Sequence, residues 1–245
     1  MTSPAYIDNI EQALREGELE LKGQFMLGSN YTFLVTVRYQ QRELQAVYKP
    51  SRGEQPLWDF PENTLAQREV AAYVVSEALG FHFVPCTVLR EDTPVYGAGS
   101  LQQYIEYDPE YHYFNFSQED KERLRPVVLF DLLINNADRK GSHVLIEKPT
   151  RKLWAIDHGL CFHEEDKLRT VLWDFAGQPI AADLLGCMAS VPSLLQGNSE
   201  LHAALAPLLE PREMQAIALR ARRLLQAGVF PPPPRNRRAF PYPPV

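Results

Sequence analysis

A change of hydrophobic rhythm near residues 101–108 constrains this chain more than any other feature. Before it, apolar residues come in short β-branched and aromatic runs divided by turns. After it, they recur at helical spacing. Glu18 to Met26, Tyr31 to Tyr39 and Leu44 to Tyr48 predict three strands in meander order. Gly28-Ser29-Asn30 turns the first pair and Gln40-Gln41-Arg42-Glu43 the second. Ser51 to Pro61 reads as a loop. Thr64 to Leu79 contains no breaker and predicts a helix, with Thr64 and Gln67 as a capping box and Gly80 as its stop. Val84 to Arg90 and Ser100 to Tyr104 add two strands. Helices then follow at Gln118 to Asn135, with Ser117 as N-cap, and at Ala181 to Met188, Ser199 to Leu209 and Arg212 to Gly228. A small hairpin, Val144 to Ile146 with Leu153 to Ile156, interrupts them. The expected class is α+β, with a β-rich N-lobe over residues 1–106 and a helical C-lobe over 107–228.

Residues 229–245 close the chain with a Pro-rich tail. Its last fifteen residues, PPPPRNRRAFPYPPV, hold seven of the twenty prolines, and the expectation is an extended polyproline segment in solvent. Its removal is expected to leave folding intact, and its Pro-x-x-P runs would suit a protein partner.

Composition narrows the function. Twenty-five Lys and Arg against thirty-one Asp and Glu give a charge of −6, which argues against general nucleic-acid binding and against a polybasic grip on membranes. No run reaches the roughly 18 apolar residues of a membrane span. The longest, Val127 to Ile134, carries Asp131. The first residues lack the basic start and apolar run of a secretory signal. Cys86, Cys161 and Cys187 are odd in number, far apart and without a CxxC, so a cytoplasmic location is expected.

Three clusters carry chemistry. Asn135 to His143 is a dense polar run after an apolar helix. Trp154-Ala155-Ile156-Asp157-His158-Gly159 sets a carboxylate at the end of an apolar strand, just before a glycine. Ala46-Val47-Tyr48-Lys49 ends a buried strand in lysine. Each has an ordinary explanation by itself: a solvated helix C-terminus, an Asp turn, a snorkelling lysine. Their order is more specific. A glycine-bearing strand turn, a strand lysine, a helix with a glutamate, a connector, an Asp-x-x-x-x-His and an Asp-x-Gly follow one another as in a kinase-type ATP site.

On these residues the sequence resembles the protein-kinase-like superfamily, specifically its phosphatidylinositol 3-/4-kinase-related branch. Ala137-Asp138-Arg139 and Ala155-Ile156-Asp157-x-Gly159 are similar to that branch's catalytic and metal-binding loops. The likeness spans about residues 20–228 and extends to a small bacterial group of actinobacterial and chloroflexal type. It implies a two-lobed kinase-like fold that uses ATP and Mg²⁺ or Mn²⁺. Lys49 would contact the α- and β-phosphates, and Glu69 would pair with Lys49, with Glu77 the alternative. Gly28, Ser29 and Asn30 would cover the phosphates. Gln102, Gln103, Tyr104 and Ile105 would meet adenine. Asp138 would act on the acceptor hydroxyl, Arg139 would support the loop or neutralise transferring charge, and Asp157 would bind the metal ion.

His143 departs from the pattern, because it stands where the branch usually has Asn. As a ligand it would favour manganese and make activity depend on a neutral imidazole; otherwise it leaves that coordination place to water, or it is structural. His158 is a second unusual choice. Segment 160–177 has four acids against two bases, a net of −2, which disfavours a phosphoinositide acceptor. The expected activity is phosphoryl transfer to a small-molecule or protein hydroxyl. An ATP-binding pseudokinase and an AMP transferase on the same site are the alternatives.

Overall fold

A computed structural model describes residues 9–25, 31–52, 54–57, 59–93, 96–148 and 150–245. The turn Gly28-Ser29-Asn30 lies outside the described residues. The elements are α1 (Ile10–Glu16), β1 (Glu18–Gln24), β2 (Phe33–Tyr39), β3 (Arg42–Pro50), α2 (Leu65–Ala78), β4 (Thr87–Arg90), β5 (Gly99–Gln103), α3 (Gln118–Glu122) and α4 (Arg125–Ile134). They continue with β6 (Val144–Ile146), β7 (Leu153–Ala155), α5 (Ala182–Leu194), α6 (Glu200–Leu205) and α7 (Pro211–Ala227). An antiparallel sheet runs β1-β2-β3-β5-β4, and β6 and β7 form a separate hairpin. The fold class read from the sequence is therefore the observed one.

Alternation builds the small core. Phe33, Val35 and Val37 of β2 and Ala46 and Tyr48 of β3 gather on one face with Leu14, Val88 and Leu101. The same alternation turns Lys49 to the opposite face. Gln40 and Gln41, at φ 47° and 64°, close β2 onto β3 in a two-residue turn. The larger core collects α4 through Val127, Leu129, Phe130 and Leu133, together with apolar residues of α5, α6 and α7. Helix α2 joins that core through Ala71, Ala72, Val75 and Leu79, although it lies among the strands in sequence. Gly80 (φ 72°) ends α2 and Gly228 (φ 64°) ends α7, both in the left-handed conformation that glycine adopts cheaply.

Several expected boundaries move. No capping box forms at Thr64, whose hydroxyl donates to the Pro61 carbonyl at 2.8 Å. The Glu54 carboxylate instead accepts from the Leu65 N–H at 3.4 Å, so the cap comes from the preceding loop. The single helix expected from Gln118 to Asn135 is two, because Pro126 sits in the first turn of α4 and cannot continue a helix from α3. Ser117 does cap α3, accepting from the Asp120 N–H at 3.1 Å. The strand expected from Val84 is confined to Thr87–Arg90. Helix α5 runs six residues past Met188, and α6 stops at Leu205.

The Pro-rich segment corrects an expectation. It forms no helix or strand, but it lies on the C-lobe. Phe230 is buried in the larger core, and Ala239 is buried further on. The Thr170 N–H donates to the Ala239 carbonyl at 3.0 Å and the Gly141 N–H to that of Pro244 at 2.8 Å.

Arg68 ties α2 to the C-lobe. Its side chain is 2% exposed and meets Glu213 of α7 at 2.7 Å. It also donates to the Cys161 carbonyl at 2.7 Å and lies 5.0 Å above the Phe60 ring. Removing one partner of a buried pair leaves the other charge uncompensated. Arg68→Ala should therefore lower stability by about 3 kcal/mol, measured by urea unfolding. A paired Arg68→Met, Glu213→Leu change should recover most of that loss, because no orphaned charge remains.

Candidate functional site

Strand β3, helix α2 and the loops after α4 and β7 meet around a cleft of about 210 Å³, lined by Lys49, Glu69, Ser100, Asp138, Lys140 and Asp157 among others. The Lys49 ammonium contacts the buried Glu69 carboxylate directly and lies 3.0 Å from Asp157 Oδ1. Burial works against the charge on Lys49, but Asp157 and Glu69 outweigh it and raise its pKa. Glu77, the alternative partner, instead faces His82 at 2.8 Å near the far end of α2.

Glu69 has a second task. Its other oxygen accepts from the His158 N–H at 3.0 Å. The preceding peptide is also pinned: the Ile156 N–H donates to the His143 carbonyl at 3.0 Å, and the Ile156 carbonyl accepts from Arg139 at 2.6 Å. Asp157 stands between these anchors at φ 61°, a left-handed conformation that short polar side chains tolerate best. A Cβ at Gly159 would meet Leu65 at 3.4 Å and Glu69 at 3.7 Å, which are ordinary contact distances. Burial raises the Asp157 carboxyl, yet Lys49 and then His143 hold it well below the usual range.

The residues of the loop after α4 divide by environment. Asp138 lines the cleft with Lys140 at 3.6 Å. Burial pushes its carboxyl up to about 6, Lys140 opposes, and Asp157 adds to the rise. Arg139 is fully buried. It grips Asp131 with two hydrogen bonds, at 2.8 and 2.9 Å, and donates to the His143 and Ile156 carbonyls. Its contact with His158 Nε2 is 2.8 Å. Of the two roles expected for Arg139, support of the loop is the one these contacts match.

His143 Nε2 lies 3.1 Å from Asp157 Oδ2, while its Nδ1 accepts from the Lys140 N–H at 3.5 Å. That pattern places the ring proton on Nε2, donating to Asp157. Among the described residues no cluster of three or more His, Cys, Asp or Glu side chains could hold a metal ion. Asp157, with His143 beside it, offers too few donors for a closed metal shell. With both ring nitrogens of His143 engaged, Asp157 is the donor, and it suits an ion that takes its remaining oxygens from phosphate and water, as magnesium prefers.

At the connector, the N–H groups of Gln103 and Tyr104 are taken by the Cys86 and Gln45 carbonyls, at 2.8 and 3.0 Å. The Gln102 side chain donates to Thr87 at 2.8 Å. Of Gln103, Tyr104 and Ile105, only Ile105 has an N–H without a hydrogen bond among the described residues. Ile105 packs with Leu145 and Trp154 in a small apolar cluster.

Sequence reasoning missed Lys140, Glu54 and Asp131. Lys140 lay inside the polar run, and Asp131 was visible as a charge within an apolar helix. Glu54 gave no local sign. Three of the four acids of segment 160–177 have partners. Asp166 pairs with Arg237 at 2.6 Å, Glu165 with Lys167 at 3.1 Å, and Asp174 accepts from the Tyr113 hydroxyl at 2.5 Å. Of these partners only Arg237 brings a positive charge from outside the segment, so an excess of acid remains.

His143 yields a pH prediction. Burial lowers its pKa to about 4, while in the unfolded chain it takes up a proton below about 6.5. Acid therefore favours the unfolded state between those values. From pH 7 to pH 4 the native protein should lose about 3 kcal/mol more than His143→Asn, read from urea unfolding at each pH.

The chain matches no family model. Protein Rv2133c of Mycobacterium tuberculosis (strain ATCC 25618 / H37Rv) is 38% identical over 271 residues, covering 96% of this chain and 95% of that protein. Phosphatidylinositol 4-kinase gamma 2 of Arabidopsis thaliana is 28% identical over 160 residues, covering 52% of this chain and 29% of its own length. Among solved structures, the Golgi casein kinase with Mn/ADP bound superposes with a TM-score of 0.58 at 15% identity, over 89% of this chain and 74% of that one. The Helicobacter pylori proinflammatory kinase CtkA gives 0.54 at 12% identity, over 89% and 94%. These likenesses carry a protein-kinase-like fold and leave the branch within it open. Among the described residues no helix is long and apolar enough to cross a membrane.

Proposed function

The chain belongs to the family of the Mycobacterium tuberculosis protein Rv2133c, and we propose that it is an ATP- and divalent-metal-dependent phosphotransferase acting on a hydroxyl acceptor. One observation carries this reading. Lys49, Glu69 and Asp157, drawn from three distant segments, form one connected charge cluster in the cleft that Asp138 also lines. The Golgi casein kinase, which shares the fold, was solved with Mn/ADP bound, and this supports nucleotide and metal use. The partial likeness to a phosphatidylinositol 4-kinase supports a phosphatidylinositol 3-/4-kinase-related branch.

In this reading Lys49 holds the phosphates as a point charge, and Glu69 keeps it aimed. Asp157, with His143 beside it, would hold the divalent ion. A bound ion neutralises phosphate charge. Asp138 accepts the proton of the acceptor hydroxyl, and its raised pKa suits a base working near neutral pH. Lys140 adds positive charge beside it. Arg139 positions the loop and does not meet substrate. Ile105 presents its N–H toward the nucleobase.

ATP labelled separately at the α- and γ-phosphates tests the reading. The γ-label should move to an acceptor or to water while the α-label stays on nucleotide. Transfer of the α-label would make the protein an AMP transferase. ATP-dependent thermal stabilisation without any transfer would make it a pseudokinase. Asp138→Asn should lower turnover by about 100-fold or more while keeping the ATP-dependent rise in Tm. Asp157→Asn should lose most of that rise. If His143 acts as a ligand, His143→Asn should shift metal preference from manganese toward magnesium. An unchanged preference would leave His143 as the donor that steadies Asp157.

A further inference from the structure

We propose that the Pro-rich segment 230–244 is a strap that holds the catalytic loop in its working position. The inference rests on the phosphotransferase reading for its kinetic consequence, and on geometry alone for the strap.

The strap is fixed at four places. Phe230 is buried in the larger core and exchanges backbone bonds with Gly177 and Gln178, at 2.8 and 3.0 Å. Arg237 donates to the Leu168 carbonyl at 2.5 Å and pairs with Asp166 at 2.6 Å. The Ala239 carbonyl accepts from the Thr170 N–H at 3.0 Å and the Trp173 indole at 3.3 Å. The Pro244 carbonyl accepts from the Gly141 N–H at 2.8 Å. Gly141 lies three residues after Asp138, and a Cβ there would come within 2.7 Å of the Phe114 ring.

Segment 168–171, which the strap grips, in turn holds the loop that carries Asp138. The Arg169 N–H donates to the Asn136 carbonyl, the Arg139 N–H to that of Arg169, and the Val171 N–H to that of Arg139, at 3.0, 3.0 and 3.1 Å. The Arg169 guanidinium reaches the Ala137 carbonyl at 2.6 Å. Asp138 is therefore set by segment 168–171, and that segment and Gly141 are both set by the strap.

The composition suits this task. The buried loop needs carbonyl acceptors for its N–H groups. Proline offers a carbonyl and no N–H, so a Pro-rich segment adds few donors that need partners while its Phe230, Ala239 and Pro244 carbonyls serve as acceptors. Its restricted φ also lowers the entropy lost on docking. These residues act through the catalytic loop and are positioning residues.

The test compares the full chain with a chain ending at Ala239, which lacks the Pro244 carbonyl, and with a full-length Arg237→Gln, Trp173→Phe variant. Each is assayed for release of label from γ-labelled ATP and for hydrogen exchange across residues 137–143. Expected is a fall in kcat of about tenfold to a hundredfold with KM for ATP changed less than about twofold, because a small misplacement of a reacting group costs that much. Exchange across 137–143 should rise, and the ATP-dependent gain in Tm should persist. A synthetic peptide of residues 240–245, added in excess to the shortened chain, should restore kcat and protection together. Native kcat and native exchange in the full-length double variant would overturn the strap, whether or not the shortened chain folds. If the unaltered protein turns over no ATP, the phosphotransferase reading fails, and hydrogen exchange still decides the strap: faster exchange upholds it and native exchange overturns it.

Discussion

The ion pair of Arg139 with Asp131 is the interaction on which the site depends. Both side chains are buried, and the guanidinium joins helix α4, the loop after it and the Ile156 carbonyl just before Asp157 in one knot. Burying two charges costs several kcal/mol in desolvation before any attraction returns it. The geometry here is the kind that offsets this cost, with two parallel bonds to the carboxylate and carbonyl acceptors for further donors. Such a pair adds little net stability over a well-packed apolar one. It does discriminate among loop conformations, because few other arrangements would satisfy both charges.

A second constraint lies across the cleft. Lys49 belongs to the sheet, Glu69 to helix α2 and Asp157 to the loop after β7, so the full cluster closes only when all three elements meet. Helix α2 is held from behind by Arg68, which reaches Glu213 and the Cys161 backbone. Adjacent residues on one helix thus point in opposite senses, one into the cleft and one into the C-lobe. The helix that holds Glu69 against the lysine is locked to the lobe that carries Asp138 and Asp157, so both sides of the cleft share one rigid reference.

The prolines show how one composition supports two readings. Without partners, a run that lacks N–H donors has nothing to build secondary structure from and stays extended. Beside a buried loop with N–H groups to satisfy, the same lack is an advantage, because the run brings more acceptors than donors. Composition reports the conformation in both cases and is silent on whether a partner surface exists within the same chain.

The sequence by itself determined the strand-then-helix order, the glycine stops of α2 and α7, and the residues of the Lys49, Asp138 and Asp157 clusters. All of these follow from local rules: alternation, periodicity, the backbone limits of glycine, and short spacings on one loop. It named Glu69 over Glu77 as the partner of Lys49, and the geometry agrees. Only the tertiary structure decided that Glu54 caps α2, that Arg139 faces inward, that His143 donates to Asp157, and that Asp166 and Asp174 meet Arg237 and Tyr113. It also decided that the proline segment docks. Each of these depends on which groups from distant parts of the chain come within hydrogen-bonding reach, and a buried polar group is driven to find such a partner wherever the fold provides one. Local pattern fixes what a residue can do, and the distance to its partner, set only by packing, decides which of those things it does.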